Sequence, residues 1–228
     1  MSRYYNQWNN NQLKYQFHGS EIVQETFSQA WQDIFVLSVL SGQRNGRYLE
    51  IGCNVPDYTN NTYLLSKSFG WTGYSIDFLN TIIPQWQTLR PNDELIIGDA
   101  LSMDYQTLLA NDPVIDYLQL DIDPSINTLS ALCRLPHKSC RFKVITFETD
   151  IYTGGDAIWV REESRNLLKA LGYELIVGDV IVDQQHPYED WWVAPELVDQ
   201  NICAQLAMTE TWNADEPIYL NPPSHIMK

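Results

Sequence analysis

The sequence predicts an α/β fold: a mostly parallel sheet of seven strands, with an antiparallel last strand and helices on both faces. First, residues 47–57 (RYLEIGCNVPD) read as a buried strand that enters a turn at Gly52, and a helix-forming segment follows, as in a βαβ unit. Second, five strands alternate with helices, which is typical of a parallel sheet. Third, residues 183–187 are too few for a parallel crossover, so the seventh strand is predicted to be antiparallel.

The segment before the glycine turn is predicted to be an arm followed by a helix. Residues 1–20 are rich in asparagine, glutamine and tyrosine and are predicted to be irregular. Apolar residues then recur at helical spacing and predict an amphipathic helix over residues 28–42. This helix either covers the sheet or forms a lid whose Ser28 and Gln29 reach a ligand.

Each predicted strand is an apolar, β-branched or aromatic run bounded by turn residues. The predicted strands cover residues 48–51, 70–78, 93–100, 114–123, 141–150, 172–183 and 186–193. The helices between them cover residues 59–69, 79–91 (a short helix or turn around Pro84), 102–109, 125–135 and 157–171. Gly70 and Gly172 end two of these helices, and Ser102 is a candidate N-cap. The aromatic strand 186–193 is predicted to lie at an edge of the sheet.

The composition indicates one acidic globular domain. Of the 228 residues 44% are apolar, which is enough for a single substantial core. We predict an arm at 1–20, the main domain at 21–195 and a C-terminal cap or tail at 196–228. A net charge of −15 and a pI of about 4.4 disfavour nucleic acids and anionic membranes as partners.

The cysteines and the hydropathy pattern lead to an expectation about the compartment. The four cysteines form no CxxC pair, so neither a zinc cluster nor a disulfide framework is predicted. No apolar run approaches the roughly 18 residues of a membrane span. We therefore expect a cytoplasmic protein, and the sequence leaves its oligomeric state open.

Acidic residues stand at the ends of five consecutive predicted strands. They are Glu50, Asp77, Asp99, Asp121 with Asp123, and Glu148 with Asp150. In an open parallel sheet, ligands bind outside the carboxyl ends of the strands. A carboxylate at Glu50 would repel a dinucleotide pyrophosphate but would suit a ligand that carries an amino group. The turn therefore favours S-adenosylmethionine as the cofactor.

The chemistry of that cofactor suggests a role for each position. Glu50 would face the cationic methionine end, and backbone N–H groups around Cys53 and Asn54 would bind its carboxylate. Asp77 would accept the ribose hydroxyls, and Asp121 would close the methyl-donor end. The remaining candidates are Asp99 and Ala100 for adenine, with Gly52, Asn61 and Phe78 as further cofactor-binding residues.

The chain resembles the FkbM-type branch of class I S-adenosylmethionine-dependent methyltransferases. The matching segments are SQAWQDIFVLS (28–38), YLEIGCNVPDYTNNT (48–62), GWTGYSID (70–77), IDYLQLDID (115–123), ITFETDIY (145–152) and HPYEDWWVAP (186–195). The resemblance implies a Rossmann-like class I methyltransferase fold and methyl transfer. The chain departs from the family pattern at residues 55–57, where a second glycine is common, and at residues 123–125, where an acidic–glycine pair is common.

We predict O-methylation of a small-molecule or sugar hydroxyl, which requires a base to remove the proton. His186 is the catalytic candidate with Asp121, because histidine titrates near neutral pH and His186 precedes the last strand. His186 can equally be a surface loop residue. Trp191 and Trp192 are either a stacking platform for a sugar ring or core residues.

A bound Mg²⁺ or Ca²⁺ is a further possibility, held by Asp121, Asp123, Glu148 or Asp150, because these ions prefer oxygen ligands. Two alternative functions remain open. One is a non-catalytic module that binds a nucleoside cofactor or a protein partner. The other is an NAD-linked oxidoreductase or epimerase, which the missing GxGxxG turn disfavours.

Overall fold

The computed structural model describes residues 13–181 and 186–208. Within them, seven strands form one sheet: β1 (Arg47–Ile51), β2 (Thr72–Asp77), β3 (Glu94–Ile97), β4 (Val114–Leu120), β5 (Arg141–Glu148), β6 (Glu174–Ile181) and β7 (Pro187–Val193). The helices are α1 (Gln32–Val39), α2 (Tyr63–Phe69), α3 (Ile83–Leu89), α4 (Tyr105–Leu108), α5 (Ser125–Arg134), α6 (Asp156–Ala170) and α7 (Gln200–Leu206). Short 3₁₀ turns cover Ser20–Ile22, Asn80–Ile82, Ile151–Thr153 and Pro195–Leu197.

The strand order is β3-β2-β1-β4-β5-β7-β6. The first six strands are mutually parallel, and β7 is antiparallel to both of its neighbours. This order confirms the predicted fold class. It also corrects the prediction that β7 is an edge strand, because β7 inserts between β5 and β6 and leaves β6 at the edge. Met208 covers that edge through backbone hydrogen bonds with Ile176 and Gly178.

The two faces of the sheet bury separate cores. One core combines α1, α2 and α7 with strand residues such as Tyr48 and Trp191. The other combines α4, α5 and α6 with the alternate strand residues, such as Leu49 and Trp192. Because successive strand residues point to opposite faces, Trp191 and Trp192 enter different cores, and both are fully buried. Of the two interpretations that the sequence left open, the structure therefore supports core residues and not a sugar platform.

Helix α1 differs from the predicted amphipathic helix, because all eight of its residues are buried. Residues that precede it, including Leu13, Phe17 and Phe27, belong to the same core and cover its outer side. Ser28 donates a hydrogen bond to the Asp33 carboxylate at 2.7 Å, so it organises the start of α1. The lid interpretation, in which Ser28 reaches a ligand, finds no support in these contacts.

The other predicted elements agree with the structure apart from their ends. Gly70 takes the left-handed conformation that ends α2, as predicted. The cap of α4 is Asp104, whose carboxylate accepts the Thr107 N–H, and not Ser102. No described helix is long and apolar enough to cross a membrane. Residues 1–12, 182–185 and 209–228 lie outside the described part, so much of the predicted arm, inter-strand connection and tail does too.

Candidate active site

A cleft of about 540 Å³ opens at the carboxyl ends of β1 to β4. This volume is within the range of about 300–1,000 Å³ that is usual for small-molecule sites. Seven of the predicted site residues line it: Gly52, Asn54, Asp77, Phe78, Asp99, Ala100 and Asp121. The parallel register of the four strands brings them together, although they are up to 69 positions apart in sequence. These seven residues therefore share one cleft at the carboxyl edge of the sheet, and their role in cofactor binding stays a prediction.

Gly52 allows the ends of β1 and β4 to approach each other. Its φ angle is +84°, and a Cβ atom added there would overlap the backbone carbonyl oxygen of Asp121. Its own N–H donates to the Ile76 carbonyl at 2.9 Å. The need for glycine thus arises from strand packing as well as from the left-handed backbone of the turn, and the sequence analysis did not predict this packing.

Asp77 holds the loops on both sides of the cleft. It is 8% exposed. One carboxylate oxygen accepts the Asn54 N–H at 2.8 Å, and the other accepts the Leu79 N–H at 2.9 Å. Each oxygen keeps a second lone pair, so the carboxylate remains able to accept hydrogen bonds from a diol.

Asp99 lies at the β3 end of the cleft and is exposed. Hydrogen bonds from the Ser102 hydroxyl at 2.6 Å and the Leu101 N–H at 2.9 Å lower the pKa of its carboxyl. Ser102 therefore orients Asp99, which explains why it does not cap α4. Phe78 is 73% exposed at the rim. Carboxylate and aromatic ring together suit a flat, donor-bearing ring such as a purine.

Glu50 is the main departure from the predicted site, because its side chain does not line the cleft. It is 1% exposed and accepts hydrogen bonds from Thr62 and Ser75, both at 2.9 Å. The Arg90 guanidinium lies 3.8 Å away. Burial raises the pKa of Glu50, and Arg90 and the two hydroxyls act in the opposite direction. These contacts give Glu50 a structural role beneath the turn.

Arg90 is the partner that sequence reasoning missed. It donates to the Tyr48 hydroxyl at 2.8 Å, to Asn60 Oδ1 at 2.9 Å and to Asp93 at 2.7 Å. Asn60 in turn donates to the Cys53 carbonyl at 3.2 Å, so Arg90 supports the loop after Gly52. Arg90 follows α3 in a short polar segment, and nothing in that segment signals burial.

Two other predicted cofactor contacts are occupied within the protein. The Cys53 N–H donates to the Ile76 carbonyl at 3.2 Å, and the Asn54 N–H donates to Asp77. These N–H groups are therefore not directed at a ligand carboxylate in this structure. The Cys53 side chain is buried beside Trp86 and Ile82, and burial raises the pKa of its thiol. Asn61 is also buried, outside the cleft lining.

The β4 end of the cleft leads into a cluster of carboxyl groups. Asp121 is hydrogen-bonded to Glu148, and Glu148 also reaches Asp150. Burial, with the charges of Asp121 and Asp150, raises the pKa of Glu148 well above its usual value. Burial and the neighbouring Asp123 and Asp121 raise the pKa of Asp150 to about 6.

Glu189 on β7 extends this cluster, because it is the register partner of Glu148. It accepts hydrogen bonds from Gln32 at 2.9 Å and from the Trp191 indole at 2.6 Å. Burial raises the pKa of Glu189 to about 8. Sequence reasoning missed Glu189, since one acidic residue inside an aromatic strand gives no signal of its position.

The possible metal site is not supported by the geometry. Within the described residues, no group of three or more His, Cys, Asp or Glu side chains is arranged to hold a metal ion. Asp121 and Glu148 are hydrogen-bonded to each other, and burial raises the pKa of both carboxyl groups.

His186 lies at the same end of the sheet as the acidic cluster. It directly precedes β7, and two residues later the Tyr188 carbonyl accepts the N–H groups of Thr149 and Asp150. The His186 ring is exposed and meets the Tyr152 ring edge-on, with centroids 5.2 Å apart. The structure thus places His186 near the end of β5.

Comparison with solved structures identifies the fold. Cofactor-bound Rv0187 from MTB has a TM-score of 0.54 at 15% identity, and the match covers 73% of this chain and 78% of that one. A protein from Klebsiella pneumoniae assigned as an O-methyltransferase has a TM-score of 0.52 at 14% identity, with 71% and 79% covered.

The fold is the Rossmann-like methyltransferase fold. At these identities the likeness concerns the fold alone. No protein-family profile and no curated protein matches the chain, so the FkbM-type resemblance stays a prediction.

Proposed function

We propose that this protein is an S-adenosylmethionine-dependent methyltransferase. The observation that supports this most directly is the line of polar groups along the cleft: Asp99, Asp77, Gly52 and Asp121, one from each of four adjacent strand ends. The carboxylates of Asp99, Asp77 and Asp121 suit a ligand rich in hydroxyl and amino donors, and their negative charge would repel a pyrophosphate. The fold shared with an O-methyltransferase supports the same assignment.

The residues present fit this cofactor. Asp77 would hold the ribose hydroxyls, and Asp99 with Phe78 would hold the adenine. Asp121 would lie at the donor end, because β4 borders the cleft opposite β3. When bound, the cofactor supplies an electrophilic methyl group on a sulfonium. The protein contributes orientation, which supplies much of the rate of such a bimolecular step.

We extend the proposal to a hydroxyl of a small molecule or glycan as the acceptor. The exposed His186 at the β5 end of the sheet is the proposed base that takes the hydroxyl proton. Asp121 would face the same space from the cleft side. The net charge of −15 supports a partner other than a nucleic acid or an anionic membrane.

Binding is tested first, by calorimetry with S-adenosylhomocysteine and with NAD. We expect S-adenosylhomocysteine to bind and NAD not to bind. Selective binding of NAD would contradict the proposed function and favour an oxidoreductase. Transfer of labelled methyl groups to a panel of hydroxyl acceptors then distinguishes an enzyme from a cofactor-binding module.

The role of His186 is tested with an identified acceptor. His186→Ala should lower turnover by about 10²–10⁴ and leave the affinity for S-adenosylhomocysteine unchanged. His18→Ala is a matched control, because His18 is also exposed but its backbone lies beside Gly42, in the turn before β1. Full turnover by His186→Ala would eliminate the histidine mechanism and leave cofactor binding unaffected.

A further inference from the structure

The strand order sets a direction for any ligand in the cleft. The groups that line it follow the order β3, β2, β1, β4, from Asp99 through Asp77 to Asp121. The next strands are β5 and then β7, and their register partners Glu148 and Glu189 continue the same line. The acidic cluster is therefore the continuation of the cleft beyond its β4 end.

The cluster also contacts the cleft directly. Asp121 lines the cleft and is hydrogen-bonded to Glu148, and both side chains are only half-buried. Asp150 and Glu189 behind them are buried. A group placed at the β4 end of the cleft thus meets Asp121 first and Glu148 immediately behind it.

A separate observation indicates that this region lacks a hydrogen-bond donor. Gln119 lies near the end of β4, two residues before Asp121, and is 2% exposed. Its carbonyl oxygen Oε1 is buried without a hydrogen-bond partner, although its register neighbours are the polar Glu50 and Thr146. A buried amide oxygen without a donor is costly. Amide oxygen and carboxyl groups together form a lining of acceptors, which suits a positively charged ligand group.

We propose that this acceptor-lined end of the cleft is the seat of the cofactor's positive charge, and that Glu148 makes the site select the sulfonium form over its uncharged thioether product. The inference rests on the proposed function. It goes further, because it assigns the discrimination between the two forms to a residue that does not line the cleft.

The physical basis is the competition between a proton and a cation for the same carboxyl groups. Burial and mutual repulsion raise the pKa of Glu148 and of Asp121, because they disfavour several negative charges together, and so they favour a bound proton in this cluster. When the positively charged sulfonium lies within a few ångströms, it stabilises the ionised carboxylate, and the proton of that carboxyl group is released to the solvent. A neutral thioether offers no such exchange, so its binding leaves the protons in place.

The direction of the pH effect follows from the groups that face the cluster. They are Asp77 on β2, Asp121 and Asp123 after β4, Tyr117 on β4, Glu148 on β5, Asp150 in the loop after β5, and Tyr188 and Glu189 on β7. With Asp150 titrating at about 6 and Glu189 at about 8, the cluster becomes more negative between these values. Preference for the sulfonium should therefore increase as pH rises through this window.

The test is calorimetry of the full chain with S-adenosylmethionine and S-adenosylhomocysteine, at pH 7 in two buffers of different ionisation enthalpy. We expect about half to one proton to be released with S-adenosylmethionine and none with S-adenosylhomocysteine. The sulfonium form should bind about tenfold more tightly or better, since coupling of one pKa unit corresponds to a factor of ten. This ratio should shrink at pH 5.5.

Variants assign the effect to Glu148. Glu148→Gln should abolish proton release and reduce the affinity ratio towards one, with S-adenosylhomocysteine binding unchanged within about twofold. Glu162→Gln, an exposed carboxylate on α6, should behave as the wild type. If Glu148→Gln does not fold, Asp150→Asn should show a reduced ratio in the same assay.

The outcomes separate this inference from the proposed function. Equal affinities without proton release would overturn the inference and leave the cofactor assignment intact. Failure of both compounds to bind would contradict the proposed function itself. Equal proton release on titration with magnesium chloride alone would also overturn the inference, because the cluster would then be a cation site unrelated to the sulfonium.

Discussion

Replacing Gly52 with alanine should destabilise the protein far more than an ordinary glycine substitution. The left-handed backbone at φ +84° costs alanine about 1–2 kcal/mol. The new Cβ also overlaps the Asp121 carbonyl oxygen, and relieving that overlap must separate β1 from β4, at roughly 1–3 kcal/mol. This movement strains the hydrogen bonds Gly52 N–H to Ile76 and Asp121 N–H to Ile51, each of about 1 kcal/mol.

The expected loss is therefore about 3–6 kcal/mol, a large part of the roughly 5–15 kcal/mol that stabilises a typical domain. Urea unfolding of both proteins measures it, with the m-value as a check on two-state behaviour. Gly172→Ala is the matched control, because its φ is +80° and the nearest atom to its added Cβ is 3.8 Å away. It isolates the backbone cost of about 1–2 kcal/mol. Equal losses in the two variants would refute the overlap argument.

Three further predictions use the same structure. Asp77→Ala should weaken S-adenosylhomocysteine binding at least about tenfold in calorimetry, since hydrogen bonds to a charged acceptor contribute about 1.5–3 kcal/mol; unchanged affinity in the folded variant would remove the ribose assignment. Glu189 keeps its proton in the folded state up to a pKa of about 8 but releases it near 4.5 when unfolded, so stability should fall as pH rises between these values, by up to about 1.4 kcal/mol per unit. Glu189→Gln should flatten that slope in urea midpoints measured at pH 5.5 and 8, and parallel slopes would contradict the assignment. Arg165→Met should cost about 3–5 kcal/mol of unfolding free energy, because it removes the guanidinium that pairs with the buried Asp190 and leaves Asp179 with the longer 3.6 Å contact to Arg161; a loss below about 1 kcal/mol would show that this network is dispensable.

The local sequence pattern was enough to predict the strands of the sheet and many of the residues that line the cleft. The predicted strands end at Asp77 and near Asp99 and Asp121, and in a parallel sheet the carboxyl ends of strands necessarily meet at one edge. The turn at Gly52 was predicted correctly, because its position after a buried strand is visible in the sequence alone. The antiparallel seventh strand followed from the length of its connection.

Sequence reasoning failed where a long-range partner decides what a side chain contacts. Glu50 is one residue from the end of β1, and its side chain is buried among Thr62, Ser75 and Arg90, which come from three other segments of the chain. For the tryptophans of β7, the sequence left a stacking platform and core packing open for a similar reason. Whether a strand lies inside or at the edge of a sheet depends on which strands pair with it, and local periodicity carries no information on that pairing.

By itself, the sequence determined the order of strands and helices, the glycine turn and the row of carboxylates at one edge of the sheet. Periodicity and turn chemistry are local properties, and parallel topology then brings the strand ends together. Only the tertiary structure decided that β7 lies between β5 and β6, and that Glu189 therefore joins Glu148 and Asp121. The raised pKa values of that cluster arise from burial and mutual repulsion among residues up to 68 positions apart, which no local pattern encodes.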